Sequence, residues 1–160
     1  MADDKKAQLK SKLTEARNQL KELLNALSEE QLTTPVITDG NAWTPINVVS
    51  HLAENEQGMS IHIYKIRKGR ETVPAGFDVN VWNAGVKERM GNPSRAELMV
   101  MLDEARAKTL EGLESIEPHE WSLTGRHPIE GITTIEQYFG IITSHDLDHI
   151  ADIKKGLGVA

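Results

Sequence analysis

The sequence predicts an all-α protein in which one domain, residues 1–160, folds as a four-helix bundle. Four segments carry aliphatic residues at three- and four-residue spacings, the pattern of an amphipathic helix. Aromatic residues make up 4% of the chain, which favours aliphatic helix packing over a strand-rich sandwich. A stretch rich in glycine and proline separates the second and third helical segments, so we expect a long irregular connection there.

The first helix is predicted from about Asp4 to Leu27, where small and aliphatic residues form one stripe. That stripe consists of Leu9, Leu13, Ala16, Leu20, Leu23, Leu24 and Leu27. Residues 33–43 are predicted to form a loop, because Pro35 and the Asp39-Gly40 pair disfavour regular structure.

The second helix is predicted to begin at Thr44 and Pro45 and to end at Gly69. Threonine can cap the free backbone N–H groups, and proline at the first helical position has no N–H to lose. Residues 70–93 are the least regular part of the chain, with a short helix predicted around Trp82 to Met90.

The third helix is predicted to begin at Ser94, where Glu97 completes a capping box, and to close at Pro118. A loop follows, and a second capping box, formed by Thr133 and Glu136, is predicted to start the fourth helix. Glycines near the end of the chain, Gly156 or Gly158, would terminate this last helix.

Composition excludes several classes of function. Lysine and arginine total 18 and aspartate and glutamate total 24, so the formal charge is −6, which disfavours nucleic acid and anionic membranes as partners. Cysteine is absent, which excludes disulfides, thiolate metal sites and cysteine nucleophiles. The charged start of the chain resembles no signal peptide and no segment is apolar enough to span a membrane, so we expect a cytoplasmic protein.

Two histidines four residues apart provide the main chemical signal. His145 and His149 share one face of the fourth helix, the face that also carries Ile142 and Ile153. Imidazoles buried there need partners, either one shared metal ion or hydrogen-bonding carboxylates. Two satisfied core histidines without a metal are the structural alternative for this pair.

His51 favours the metal interpretation, because it lies at the edge of the apolar stripe of the second helix. Three histidines with one open position are the composition of a catalytic zinc site, whereas structural sites are closed by four ligands. His62 lies about 16.5 Å further along the same helix, at 1.5 Å per residue, too far to share the metal. It could line a cleft, but the prediction is an ordinary surface histidine. His127 is predicted to be part of a loop.

Several carboxylates accompany these histidines. Asp146 and Glu56 interrupt apolar stripes and are the candidate acid–base residues, although Asp146 could instead pair with an arginine of a neighbouring helix. Glu54 and Glu56 are also candidate metal ligands. Asp148 and Asp152 could lie behind the histidines, but we expect both to be solvated.

Two segments resemble the DinB/YfiT-like superfamily of metalloenzymes. WTPINVVSHLAENE is similar to the second-helix motif of that superfamily, and RHPIEGITTIEQYFGIITSHDLDHIADIKKGLG is similar to its last helix and the preceding loop. The four-helix layout resembles the superfamily over nearly the whole chain.

The resemblance implies an up-up-down-down-type bundle in which His51, His145 and His149 hold one divalent metal ion, zinc or nickel. It also implies a homodimer and, in some relatives, a reaction with a low-molecular-weight thiol. Many relatives carry a histidine where this chain has Asp148, and a glutamine where it has Asp152.

Two functional hypotheses follow. In the first, a metal on the three histidines activates water or a thiol, as in a transferase or a hydrolase. A small-molecule substrate would then enter a cleft near Trp43, Tyr64 and Trp82. In the second, the protein is a non-catalytic metal-binding or structural dimeric bundle, whose fourth coordination position is closed.

Overall fold

The computed structural model describes residues 2–38 and 40–160, so Asp39 of the predicted Asp39-Gly40 turn lies outside it. Four long helices confirm the predicted bundle: α1 (Ala2–Ala26), α3 (Pro45–Arg67), α6 (Arg95–Ser115) and α7 (Ile135–Leu157). The short elements are α2 (Glu29–Leu32), β1 (Val36–Thr38), β2 (Asn41–Trp43), α4 (Val79–Ala84), α5 (Val86–Met90), a 3₁₀ turn (Pro118–Glu120), β3 (Thr124–His127) and β4 (Gly131–Thr134). None of the helices in the described ranges combines the length and the apolar character needed to cross a membrane.

The long helices run up, down, down and up in chain order. Helices α3 and α6 are parallel, because Glu56 pairs with Arg106 and Arg67 pairs with Ser115 further along both helices. Helices α1 and α7 are likewise parallel to each other, and both run antiparallel to the first pair. The up-up-down-down order is therefore found around the bundle, in the sequence α1, α7, α3, α6, and not along the chain. The connection over residues 68–94 returns along the bundle and makes the parallel pair possible.

Helix starts follow local capping chemistry. The predicted caps Thr44 and Ser94 are confirmed, since each side chain accepts a hydrogen bond from the backbone N–H three residues later. The capping box predicted at Ser94 is only half formed, because among the described residues the Glu97 side chain makes no hydrogen bond back to the Ser94 N–H. The predicted capping box of Thr133 and Glu136 is wrong. Thr134, one residue later, caps α7 and forms a capping box with Gln137, while the buried hydroxyl of Thr133 donates to the carbonyl of Gly131.

Two segments predicted as loops contain small hairpins. Strands β1 and β2 pair antiparallel, and so do β3 and β4. Helix α7 passes close to the first hairpin, where a Cβ on Gly156 would lie 2.5 Å from Cγ1 of Val36. The predicted short helix near Trp82 is also divided, into α4 and α5, which meet at Gly85.

A layer of buried charges divides the core. Two apolar clusters occupy the two ends of the bundle. Between them each long helix contributes one ionised side chain: Arg17, Glu56, Arg106 and Asp146, all at most 5% exposed. Two cations and two carboxylates form a layer of zero formal charge, and because each pairs with groups on other helices, the layer favours one helix register.

Candidate metal centre

Three histidines from two antiparallel helices converge in one place. Nε2 of His145 lies 3.1 Å from Nε2 of His51 and 3.0 Å from Nε2 of His149. One donor nitrogen from each of the three lies within 4.8 Å of the others. The structure therefore brings together the three residues that the sequence singled out as metal ligands.

These nitrogens form a poor hydrogen-bonding group but a suitable donor set for a cation. A neutral imidazole nitrogen either carries a proton or offers one lone pair, so Nε2 of His145 cannot donate to one neighbour and accept from the other. A cation receives all three lone pairs. Donors about 2.0–2.1 Å from a tetrahedral zinc ion lie about 3.3–3.4 Å apart, close to the observed 3.0 and 3.1 Å. The residues present thus fit a divalent metal ion.

Burial keeps His51 and His145 uncharged. His51 and His149 are 3% and 2% exposed. Burial, with smaller contributions from His149 and Arg89, lowers the pKa of His51 to about 3. Burial, followed by the neighbouring histidines, also holds the pKa of His145 well below its usual value. His51 and His145 are therefore neutral imidazoles, the form that binds metals, at neutral pH.

His149 is oriented from behind by polar groups. Its Nδ1 lies 3.1 Å from Oγ1 of Thr38 and 3.2 Å from Oδ2 of Asp152, and Thr38 donates a hydrogen bond to Asp152 at 2.6 Å. A proton on Nδ1 therefore faces these acceptors, and the Nε2 lone pair faces the other histidines. The prediction that Asp152 is simply solvated is wrong, because its carboxylate contacts His149. Asp148 is exposed, as expected, but lines the cleft in front of the cluster.

The cluster lies in the wall of a cleft of about 630 Å³. The apolar lining consists of Met59, Val73, Phe77, Val79, Trp82, Pro128, Ile129 and Ile141. Four carboxylates also line it, from Glu54, Glu130, Asp148 and Asp152, and the described lining residues include neither lysine nor arginine. A cleft of this volume suits a small molecule.

The predicted aromatic lining of this cleft is only partly correct. Trp82 lines the cleft. Trp43 is 2% exposed and packs against the ring of His51, with centroids 5.1 Å apart, so it lies behind a candidate metal ligand and outside the lining. Tyr64 is 52% exposed and lies outside the lining.

Two further histidines line the same cleft. The prediction that His62 lies on the surface is wrong, because its ring is half-buried and packs on Tyr138 with centroids 6.0 Å apart. His127 ends strand β3, is 8% exposed and packs on the same tyrosine at 5.4 Å. The apolar periodicity of α3 does not reveal that His62 lines a cleft, because its exposure depends on how residues 70–93 cover the helix. The hairpin that carries His127 has no strong sequence signal.

The predicted acid–base residues belong to the buried charged layer. Arg106 binds Glu56 at 2.9 Å and Asp146 at 2.9 Å, while Arg17 binds Asp146 at 3.1 Å. Burial raises the pKa of Glu56, but Arg106, Arg17 and the hydroxyl of Thr109 outweigh it and lower the pKa overall. Neither carboxylate is among the described lining residues of the cleft. The alternative pairing of Asp146 with an arginine is thus present, and an acid–base role for either residue stays a prediction.

Glu54, the other candidate ligand, is held by an arginine. Both its carboxylate oxygens bind Arg89, at 2.7 and 2.9 Å. The same guanidinium stacks on Trp82 with its Cζ 3.7 Å from the ring centroid. Glu54 therefore faces the cleft as a neutralised pair, outside the histidine cluster.

Comparison with known proteins places this site in a family. The sequence model of the DinB superfamily matches residues 12–153. A protein of Bacillus mycoides, described as a proposed metal-dependent hydrolase, is 27% identical over 151 residues, covering 86% of this chain and 77% of that protein.

Solved structures share the fold. YfiT from Bacillus subtilis, described with the same proposed activity and an unusual four-helix bundle topology, superposes with a TM-score of 0.74 at 22% identity, covering 97% of this chain and 89% of that one. The mycothiol-dependent maleylpyruvate isomerase gives a TM-score of 0.72 at 15% identity, covering 91% of this chain and 60% of that one. At these identities the similarity establishes the bundle architecture alone.

Proposed function

The chain belongs to the DinB superfamily, and from that membership we propose that it is a metal-dependent hydrolase of small, uncharged substrates. The observation that carries the proposal is the convergence of three imidazole nitrogens in the wall of a cleft of about 630 Å³. The activity proposed for the Bacillus mycoides relative and for YfiT supports the same reaction class.

His51, His145 and His149 would hold the ion. An all-imidazole donor set suits zinc or nickel. A divalent ion held there would act as a Lewis acid and would lower the pKa of water. Three protein donors leave a position open, and arginines hold both Glu56 and Asp146 away from it. These pairings favour a catalytic site over the alternative of a closed, structural metal site.

The other polar residues near the histidine cluster have different proposed roles. Thr38 and Asp152 hold the Nδ1 proton of His149. Asp148 lines the cleft and is exposed, so its carboxylate can exchange protons with water or a leaving group there. For Glu56 and Asp146 the proposal is a positioning role, because their ion pairs fix α3 against α7 and thereby His51 against His145.

The lining of the cleft indicates the substrate class. Apolar walls favour a substrate with an aliphatic or aromatic body. Arg89 neutralises Glu54. The carboxylates of Glu130, Asp148 and Asp152 still outnumber the two charges of a divalent ion, which disfavours an anionic substrate. We therefore propose neutral esters or amides as substrates.

A thiol-dependent transfer is the second candidate, supported by the fold shared with the mycothiol-dependent isomerase. This chain contains no cysteine, so the thiol would be a co-substrate. A homodimer, implied by the family resemblance, is part of the proposal as well.

The test is to purify the untagged protein, measure bound metals by mass spectrometry, and screen neutral esters and amides against carboxylate-bearing counterparts. We expect about one divalent ion per chain and hydrolysis that prefers the neutral compounds. His51→Ala and His149→Ala should lose both, whereas His119→Ala, which changes an exposed histidine outside the cleft, should lose neither. Equal metal content in His149→Ala and wild type would contradict the proposal.

A further inference from the structure

His127 is held by its own turn in one tautomer. Its Nδ1 accepts hydrogen bonds from the backbone N–H groups of Ile129 and Glu130, each at 3.1 Å. Because Nδ1 accepts both, it carries the lone pair, and the proton of the neutral ring resides on Nε2. The backbone therefore presets which nitrogen can donate.

The ring is also fixed in place and uncharged. His127 packs edge-on against Tyr138, whose hydroxyl donates to the carbonyl of Arg126 at 3.0 Å. Burial lowers the pKa of His127, an effect larger than the opposing one of Glu130, so the ring is neutral at neutral pH. Within residues 2–38 and 40–160 no hydrogen bond engages its Nε2. The side chain is thus a preset neutral donor in the cleft wall.

Other polar atoms in this cleft lack partners. Nδ1 of His62 and Oδ1 of Asn83 are buried, and neither has a hydrogen-bond partner among the described residues. Both residues line the same cleft as His127. Buried polar atoms are normally paired, so orphaned atoms in a cleft indicate a site that a polar ligand completes.

We propose that His127 is a substrate-binding residue whose Nε2–H donates a hydrogen bond to the carbonyl oxygen of a neutral ester or amide. A neutral donor matches a neutral oxygen acceptor, and the described lining offers no lysine or arginine for that task. This assignment rests on the proposed function for the class of substrate, and it adds a second binding group, separate from the histidine cluster.

The test uses N-benzylacetamide, a neutral amide whose phenyl ring suits the apolar walls. His127→Asn is the informative variant, since the asparagine Oδ1 can replace Nδ1 as acceptor for the turn while the Nε2–H at the far side of the ring is removed. The shorter asparagine amide does not extend to the position of that donor. His119→Asn, at an exposed histidine outside the cleft, is its matched control. Binding is measured by titration of the protein with and without added zinc, together with ¹⁵N nuclear magnetic resonance spectra of the imidazole nitrogens.

We expect the wild-type protein to show His127 protonated on Nε2 alone, and the probe to shift that resonance. His127→Asn should bind the probe about 2- to 10-fold more weakly, the contribution of one neutral hydrogen bond, and His119→Asn should bind it unchanged. A proton on Nδ1 of His127, an Nε2 resonance that does not move up to the solubility limit of the probe, or equal affinity of a folded His127→Asn would each overturn the assignment.

Failure of this proposal is distinguishable from failure of the proposed function. The nitrogen spectrum of the wild type needs no variant and no turnover. Probe binding through His127 by a protein that takes up no metal and hydrolyses nothing would refute the hydrolase alone. Metal uptake and hydrolysis with an unmoved His127 resonance would refute the binding role alone.

Discussion

At the scale of single residues, the histidine cluster depends on what lies behind it. Thr38 and Asp152 both contact Nδ1 of His149, and Trp43 packs on His51. The resemblance highlighted Asp152 as a departure from the common glutamine, and the structure shows that this departure places a carboxylate on a candidate metal ligand.

The contact between Asp152 and His149 predicts that Asp152 strengthens metal binding. Asp152→Asn should lower affinity for zinc by about 10- to 100-fold, because the partner that orients the imidazole and raises its basicity loses its charge. Competition with a chromophoric chelator measures the change. Asp148→Asn is the control, since Asp148 is an exposed neighbour that lines the cleft. A larger loss in Asp148→Asn than in Asp152→Asn would contradict the orientation argument.

The buried charged layer predicts a large effect of Glu56→Gln on stability. This change leaves the two buried arginines, Arg17 and Arg106, with one carboxylate, that of Asp146, instead of two. Removal of one partner from a buried pair costs about 3–5 kcal/mol. Urea unfolding measures the loss. The exposed pair of Lys21 and Asp103 provides the comparison, because Asp103→Asn should cost less than about 1 kcal/mol. If Glu56→Gln instead retained wild-type stability and altered only the pH dependence of hydrolysis, the acid–base role would be favoured over positioning.

At the scale of elements, the hairpin β1–β2 connects bundle packing to the site. Strand β1 carries Thr38, which contacts His149, and α7 approaches that strand at Gly156. Only glycine fits at this position, because α7 lies so close to β1 that any Cβ would meet the side chain and backbone of Val36.

Alanine substitutions at two glycines of α7 are therefore expected to have opposite effects on stability. Gly156→Ala should destabilise the protein by about 1–3 kcal/mol through overpacking, and should weaken metal binding by displacing Thr38. Gly140→Ala, where a Cβ meets nothing within 4 Å, should be neutral or stabilise the helix by about 0.5–1 kcal/mol. Thermal unfolding and chelator competition on both variants check this, and equal behaviour of the two would refute it.

At the scale of the whole molecule, the site joins two helices that are far apart in sequence. The cluster lies between α3 and α7, at a level next to the charged layer that links all four long helices. A ligand bound across α3 and α7 in the native state, and absent from the unfolded chain, must stabilise the entire fold.

Metal binding should consequently raise the melting temperature. Zinc at 100 times its dissociation constant should add about 2.7 kcal/mol, or about 5–10 °C for a domain of this size. Scanning calorimetry with and without a chelator measures the shift. His51→Ala and His149→Ala should show little of it, while a full shift in either variant would place the ion elsewhere.

Local sequence signals were sufficient for the helices and for the candidate metal ligands. Apolar periodicity located four helices, because burial selects aliphatic residues on one face, and Thr44 and Ser94 marked helix starts through their capping chemistry. The spacing of His145 and His149 placed both on the inner face of α7, and His51 lay on the matching face of α3.

Only the tertiary structure decided the partners of these residues. Whether Asp146 and Glu56 face a metal or an arginine depends on helix register, which a pattern within one helix does not contain. His62 and His127 meet in one cleft because residues 68–94 and the β3–β4 hairpin fold against α3 and α7. The sequence by itself determined the helices and which faces they bury, since these depend on neighbours a few residues apart. The cleft and the orientation of His149 depend on long-range packing, for which the chain offers no local signal.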